Sequence, residues 1–207
     1  MLRGSSLTDI NKNKEESEFK KFGPAVFGLN DRKSVTVNVE TEKVFLPNKD
    51  MSSKQKGDIA EARIAELIML YGKNPSFACY RPISDDEGID LIVKRKGEFK
   101  PFFIQVKSRF GVEKKLSFTA TVKTKTIVNN YSMGVVFCYF DMLDGDIWDY
   151  LWFVPAPDFI KKANKLRDGE SLGFVAGKTQ RENNKWDEYL IPKQELAIKI
   201  ASQISKL

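Results

Sequence analysis

Between residues 54 and 72 the apolar positions Ala60, Ile64, Leu67, Ile68 and Tyr71 recur at helical spacing, and Gly72 supplies a stop, so the pattern predicts a helix. Beyond it the period shortens. Segments 76–82, 88–95 and 101–109 read as strands, 115–122 alternates as another, and Thr124–Asn130 reads as a short helix. Gly134–Phe140 and Ile147–Val154 are apolar runs of the kind found in buried strands. Pro157–Leu166 predicts a helix, Leu172–Val175 a short strand and Pro192–Lys206 a terminal amphipathic helix. This order predicts an α/β fold, a sandwich of helices around a mixed sheet.

The first 50 residues follow another pattern. The first two dozen are polar and mixed in charge, which predicts loose packing. Ser34–Glu40 then alternates as a strand, Lys43–Leu46 supplies a hairpin partner, and Pro47–Asp50 reads as a linker. The expected organisation is an N-terminal extension over 1–50 and a folded domain over 51–207.

Two strand segments, Gly88-Ile89-Asp90-Leu91-Ile92 and Phe103-Ile104-Gln105-Val106-Lys107-Ser108, carry polar residues where a core strand should have none. Alternation puts Gln105 and Lys107 on one face of their strand and Ile104 and Val106 on the other. Asp90 stands apart from Asp85, Asp86 and Glu87, which already supply turn chemistry just before it. On the helix, the i+3, i+4 and i+7 neighbours of Glu61 are Ile64, Ala65 and Ile68, so this carboxylate lies on the apolar stripe. A carboxylate there is costly unless it is paired with a cation or a metal. The plainer readings are a turn cap for Asp90, an exposed strand face for Gln105 and Lys107, and a stripe-edge residue for Glu61.

Composition narrows the chemistry. The hydrophobic fraction of 42% and 15 Phe describe a folded globular chain. The chain contains no His, which removes Ser-His and Cys-His nucleophile pairs and every His-metal site. Acids, bases and ligands must come from Asp, Glu, Lys, Tyr or Gln, a set that favours a hard cation such as Mg²⁺. Cys79 and Cys138 sit in apolar runs and read as buried, reduced thiols. No stretch is long and apolar enough to span a bilayer, and Met1–Ser6 lacks the apolar core of a signal peptide, so a cytoplasmic protein without membrane contact is expected.

Charge is unevenly placed. The net charge is +6, but residues 94–125 alone carry +8. Lys94, Arg95, Lys96, Arg109, Lys114, Lys115, Lys123 and Lys125 therefore surround the Gln105/Lys107 strand, as a phosphate-backbone partner would require. A solvated Lys-rich hairpin is the plainer alternative. Trp148, Trp152 and Phe153 could stack on bases but suit a strand core better. The acidic run Asp141–Asp149 lacks the Glu of a calcium loop and reads as a polar turn.

A helix Glu, then Gly-Ile-Asp, then Ile-Gln-Val-Lys-Ser, in that order, resembles the PD-(D/E)XK nuclease superfamily, the fold of many restriction endonucleases and Holliday-junction resolvases. The resemblance covers residues 56–108 well. It implies a restriction-endonuclease-like mixed central β-sheet flanked by helices and a metal-dependent endonuclease acting on duplex or branched DNA. It further implies that Asp90 is the bridging metal ligand, with Gln105, the Val106 carbonyl and Glu61 completing the site and Lys107 orienting or activating water. Mg²⁺ is the implied cofactor, with Mn²⁺ as its substitute. Cutting both strands benefits from two sites, which makes a homodimer plausible. Two departures stand out. Ile89 replaces the Pro of the pattern, and Gln105 replaces an acid, which lowers the negative charge of the site and favours a single cation. The second leaves open a catalytically inactive nucleic-acid-binding module of the same fold, and a structural or partner-binding protein remains a third reading.

Overall fold

The computed structural model describes residues 19–23, 26–29, 48, 50–72, 76–84, 87–112, 117–177 and 184–207. The chain divides into two compact units, Met1–Phe45 and Leu46–Leu207. In the first unit β1 (Phe19–Gly23) and β2 (Val26–Leu29) form an antiparallel hairpin with an irregular step between Lys21 and Gly23. This hairpin lies where the sequence pattern predicts no strand. The strands expected at 34–40 and 43–46 lie outside the described residues.

The second unit begins with α1 (Ser53–Tyr71). Its start is fixed by a capping box: Gln55 N–H donates to Ser52 Oγ at 3.2 Å, and Ser52 N–H donates to Gln55 Oε1 at 2.9 Å. Its stop is Gly72, whose N–H reaches Ile68 O at 3.0 Å; a Cβ there would lie 2.7 Å from the Phe77 ring. Then follow β3 (Phe77–Tyr80), β4 (Leu91–Arg95), β5 (Phe102–Gly111), β6 (Ser117–Lys123), a 3₁₀ turn at Thr124–Thr126, β7 (Met133–Asp141), β8 (Asp146–Ile147), β9 (Tyr150–Pro155), α2 (Ala156–Lys162), β10 (Asn164–Lys165), β11 (Ser171–Gly177), β12 (Leu190–Pro192) and α3 (Leu196–Ile204).

A seven-stranded mixed sheet forms the centre, in the order β12-β9-β7-β5-β4-β3 with β8 paired to the outer end of β7. The β5–β7 pair is parallel and its neighbours are antiparallel. The alternation of β7 shows why its sequence is a continuous apolar run. Val136, Cys138 and Phe140 join one core with α1 and α3, whereas Val135, Phe137 and Tyr139 join another on the opposite face. That second face is covered by the three-stranded sheet β10-β11-β6 and by α2, so one side of the sandwich is another sheet rather than helices alone. Trp152 and Phe153 are core residues, on opposite faces of β9.

Three predicted elements are broken or shorter than their patterns. Ile147–Val154 is two strands, because the Trp148 N–H donates to Tyr139 O while the Asp149 carbonyl turns away to accept from Lys193. Only Thr124–Thr126 of the predicted 124–130 helix is helical. The helix predicted to Leu166 stops at Lys162, since Asn164 and Lys165 pair with β11.

Candidate active site

Asp90 closes the turn before β4, where Gly88 adopts φ +67°. Its N–H donates to Ile104 O at 2.9 Å, and its carboxylate accepts from the Val106 N–H at 2.5 Å. These two bonds fix the carboxylate against the middle of β5, at the point where the sequence places Gln105-Val106-Lys107.

Glu61 reaches the same place from α1. It sits at the edge of the stripe formed by the buried Ala60, Ile64, Leu67 and Ile68, with its side chain 20% exposed. Arg81, just beyond β3, holds it: Nη2 donates to Glu61 Oε2 and also to Asp58 Oδ1 at 3.0 Å, one helical turn earlier. These bonds hold the Arg81 pKa above its ordinary value, the Glu61 hydrogen bond contributing most. Glu61, Arg81, Asp58, Asp90, Val106 and Lys107 line one cleft of 760 Å³, together with Lys54 from the first turn of α1. Three carboxylates thus meet three cations.

Gln105 is not among the residues lining this cleft. It is 2% exposed, and its Nε2 donates to Thr126 Oγ1 at 3.2 Å. The packing there is tight: a Cβ on Gly88 would lie 2.4 Å from Thr126 Cβ and 2.6 Å from Gln105 Nε2. Gln105 Oε1 is buried and has no hydrogen-bond partner among the described residues. Such an oxygen calls for an ion, a water or a proton donor.

The oxygen donors that line the cleft suit a hard divalent cation: the carboxylates of Asp90 and Glu61 and the Val106 carbonyl; the orphaned Gln105 Oε1 is a further neutral oxygen that lies off the cleft lining. Among the described residues no group of three or more His, Cys, Asp or Glu side chains could hold a metal ion, so neutral oxygens would have to complete the set. Neither thiol competes for this chemistry. Burial pushes Cys79 up to about 11 and Cys138 up to about 12, and neither is disulfide-bonded.

The basic residues fall into separate groups. Lys96, Lys123 and Lys125 are exposed. Arg109 donates to Thr119 Oγ1 at 3.2 Å, and Lys94 lies over the Phe99 ring at 5.2 Å. Arg95 is spent at the end of α3, donating to Ala201 O at 2.8 Å and Ser205 Oγ at 2.9 Å. Lys114 and Lys115 lie outside the described residues. Of the acidic run, Asp141 accepts from the N–H groups of Leu143 and Asp144 and so builds a turn, while Asp146 pairs with Arg63 and Lys193.

Sequence reasoning misses Arg81, Asp58 and Thr126. A helical i, i+3 relation to Glu61 marks Asp58, but nothing local marks Arg81 or Thr126.

A family model described as PD-(D/E)XK endonuclease matches residues 51–171. Among solved structures, that of a bacterial homing endonuclease, I-Ssp6803I, is similar with a TM-score of 0.50 and 17% identity, covering 75% of this chain and 96% of that one. At that identity the likeness concerns the fold. No curated protein sequence matches the chain. Among the described residues, no helix is long and apolar enough to cross a membrane.

Proposed function

The chain belongs to the PD-(D/E)XK endonuclease family, and from this we propose that it is a divalent-metal-dependent endonuclease that hydrolyses phosphodiester bonds in DNA. The observation that carries the reading is the single cleft in which Asp90, Glu61, Val106 and Lys107 converge from α1, the turn before β4, and β5. Asp90, Glu61, the Val106 carbonyl and Gln105 Oε1 would hold the cation. Mg²⁺, or Mn²⁺ in its place, would supply Lewis-acid stabilisation of the phosphate and a more acidic water.

The chain's own groups do the rest. The Val106 N–H orients the Asp90 carboxylate. Lys107 neutralises charge growing on the phosphate and orients the attacking water. Exposed Lys96, Lys123 and Lys125, with Arg109, contact the phosphate backbone and carry little sequence readout. A homodimer would present one site to each strand of a duplex or branched substrate. The two thiols without a disulfide suit a reducing, cytoplasmic setting.

The test is a cleavage panel on labelled duplex, branched and single-stranded DNA, and on RNA, with Mg²⁺ or Mn²⁺. The parent protein cuts DNA, whereas Asp90→Ala and Lys107→Ala lower the rate by about 100-fold or more. If all three proteins cut equally, the site is wrong. The position of Gln105, buried and away from the cleft wall, favours one second reading: a module of the same fold that binds nucleic acid without cutting it. That reading requires salt-dependent DNA binding that survives Asp90→Ala and no cation-dependent cleavage by the parent.

A further inference from the structure

Arg81 is the one strong cation in the cleft with two carboxylate partners among the described residues, and its bonding is lopsided. Both of its hydrogen bonds to carboxylates leave from the same nitrogen, Nη2, one to Glu61 and one to Asp58. Nε–H and the two N–H groups of Nη1 have no acceptor among the described residues. The side chain is 46% exposed and lines the cleft shared with Asp90 and Lys107. A guanidinium offers five donors in a rigid planar fork that matches a phosphate, and three of those of Arg81 have no acceptor among the described residues.

A purely structural ion pair accounts for this geometry poorly. Arg81 lies in the turn beyond β3, and its partners belong to α1, on the side of the helix that faces the cleft. A bridge serving only to dock β3 against α1 would not need an exposed guanidinium edge inside the cleft. Glu61 is moreover a carboxylate that the proposed metal site would use. Arg81 and a divalent cation would therefore both draw on the charge of the Glu61 carboxylate, and each would weaken the other's hold.

We propose that Arg81 is a phosphate-binding residue, held in place by Asp58 and Glu61, that competes with the divalent cation for Glu61 and presents its Nε and Nη1 edge to a DNA backbone phosphate. The proposal rests on the nuclease reading above and deepens it by naming the residue that receives the phosphate. As the cation takes over the charge of Glu61, the guanidinium remains tethered by Asp58 and its fork turns to the phosphate. Substrate and cation binding are thereby linked through one side chain.

The two halves predict effects of opposite sign, whereas a loss of folding would weaken both, and the comparison of Arg81→Met with Arg81→Lys separates the guanidinium fork from its charge. The proteins to compare are the full-length parent, Arg81→Met, Arg81→Lys and Asp90→Ala. Mn²⁺ binding is measured without DNA by calorimetry. Duplex binding is measured by fluorescence anisotropy with Ca²⁺ over a range of salt concentrations. Arg81→Met is expected to bind Mn²⁺ about threefold more tightly, because a partly exposed competitor has gone. It is expected to bind duplex about tenfold more weakly, with the slope of log affinity against log salt reduced by about one. Arg81→Lys, which keeps the charge but loses the fork, falls between parent and Arg81→Met for the duplex, and it gives the same directions should Arg81→Met fail to fold. Unchanged or weaker Mn²⁺ binding in both Arg81 variants, with uptake by the parent that Asp90→Ala abolishes, overturns this proposal alone. So does an unchanged salt slope. No Asp90-dependent uptake by the parent overturns the metal reading of the cleft and this proposal with it.

Discussion

The hydroxyl of Thr126 has one proton, and it goes to the Lys123 carbonyl at 2.9 Å. Toward Gln105 the hydroxyl can therefore only accept, which turns the amide so that Nε2 faces Thr126 and Oε1 faces away. A side chain with two nearly symmetric ends is thus held in one orientation, the one that leaves the carbonyl oxygen without a partner among the described residues. Gly88 completes the arrangement by letting the chain that leads to Asp90 pass where a Cβ would collide with both partners. Thr126→Val leaves Nε2 buried without an acceptor, which costs about 1–3 kcal/mol of stability. It should also weaken Mn²⁺ binding by about tenfold, the usual effect of removing a group that orients a ligand. Thr126→Ser keeps the acceptor and should restore both, as calorimetry and thermal melts would show; equal Mn²⁺ affinity in Thr126→Val and parent would remove Thr126 from the site. These residues differ in how far the sequence reveals them. Asp90, Lys107 and Glu61 are legible because each is polar where the pattern demands an apolar residue. Arg81 and Thr126 lie between strands and Asp58 on an exposed helix flank, where polar residues are ordinary, and only the fold brings Arg81 and Asp58 to the cleft and Thr126 to Gln105.

At the level of elements, the acidic turn after β7 does more than reverse the chain. Asp146 accepts from Lys193 at 2.9 Å and from the Ile147 N–H at 2.7 Å, and it pairs with Arg63 of α1 at 3.3 Å. One carboxylate thereby joins α1, β8 and the segment leading into α3. Burial alone would raise the Asp146 pKa; the Lys193 and Ile147 hydrogen bonds and the charges of Lys193 and Arg63 more than offset it and hold the pKa below the ordinary value. A folded-state pKa below the unfolded one stabilises the fold fully above the unfolded value and ceases to do so as pH falls through the folded one. Asp146→Asn should therefore lower Tm at pH 7, and the gap from the parent should narrow through the acid range and close once the folded carboxyl is protonated. A gap that stays constant across that range would mean that packing, not charge, is responsible. The sequence shows the turn but not the pairing, because Arg63 and Lys193 are far from Asp146 along the chain. The same limit applies to strand ends: Ile147–Val154 reads as one apolar run, and its break depends on hydrogen bonds to residues 139 and 193.

For the whole molecule, a count of positive charges in one segment overstates the cationic surface left free, because cations of the same segment do different work. Arg95 carries the same charge as Lys123 or Lys125, but its side chain is only 19% exposed and caps carbonyl and hydroxyl oxygens at the end of α3. Lys123 and Lys125 are exposed, at the junction between the second sheet and the 3₁₀ turn that carries Thr126, the partner of Gln105. Basic density in the sequence marks a segment, but it cannot separate cations that hold the fold from cations left to a partner, since burial decides which is which. Arg95→Gln should lower stability by about 1 kcal/mol, or Tm by about 3 °C, because the α3 end is no longer capped by a cation. It should leave duplex affinity and its salt slope unchanged. Lys123→Ala with Lys125→Ala should do the reverse, keeping Tm and reducing the salt slope by up to about two, one for each phosphate left without its lysine. Thermal melts and anisotropy titrations on the same preparations separate the two effects. If Arg95→Gln weakened duplex binding while the lysine pair did not, the proposed DNA-facing surface would have to be moved from the second sheet toward the α3 side of the molecule.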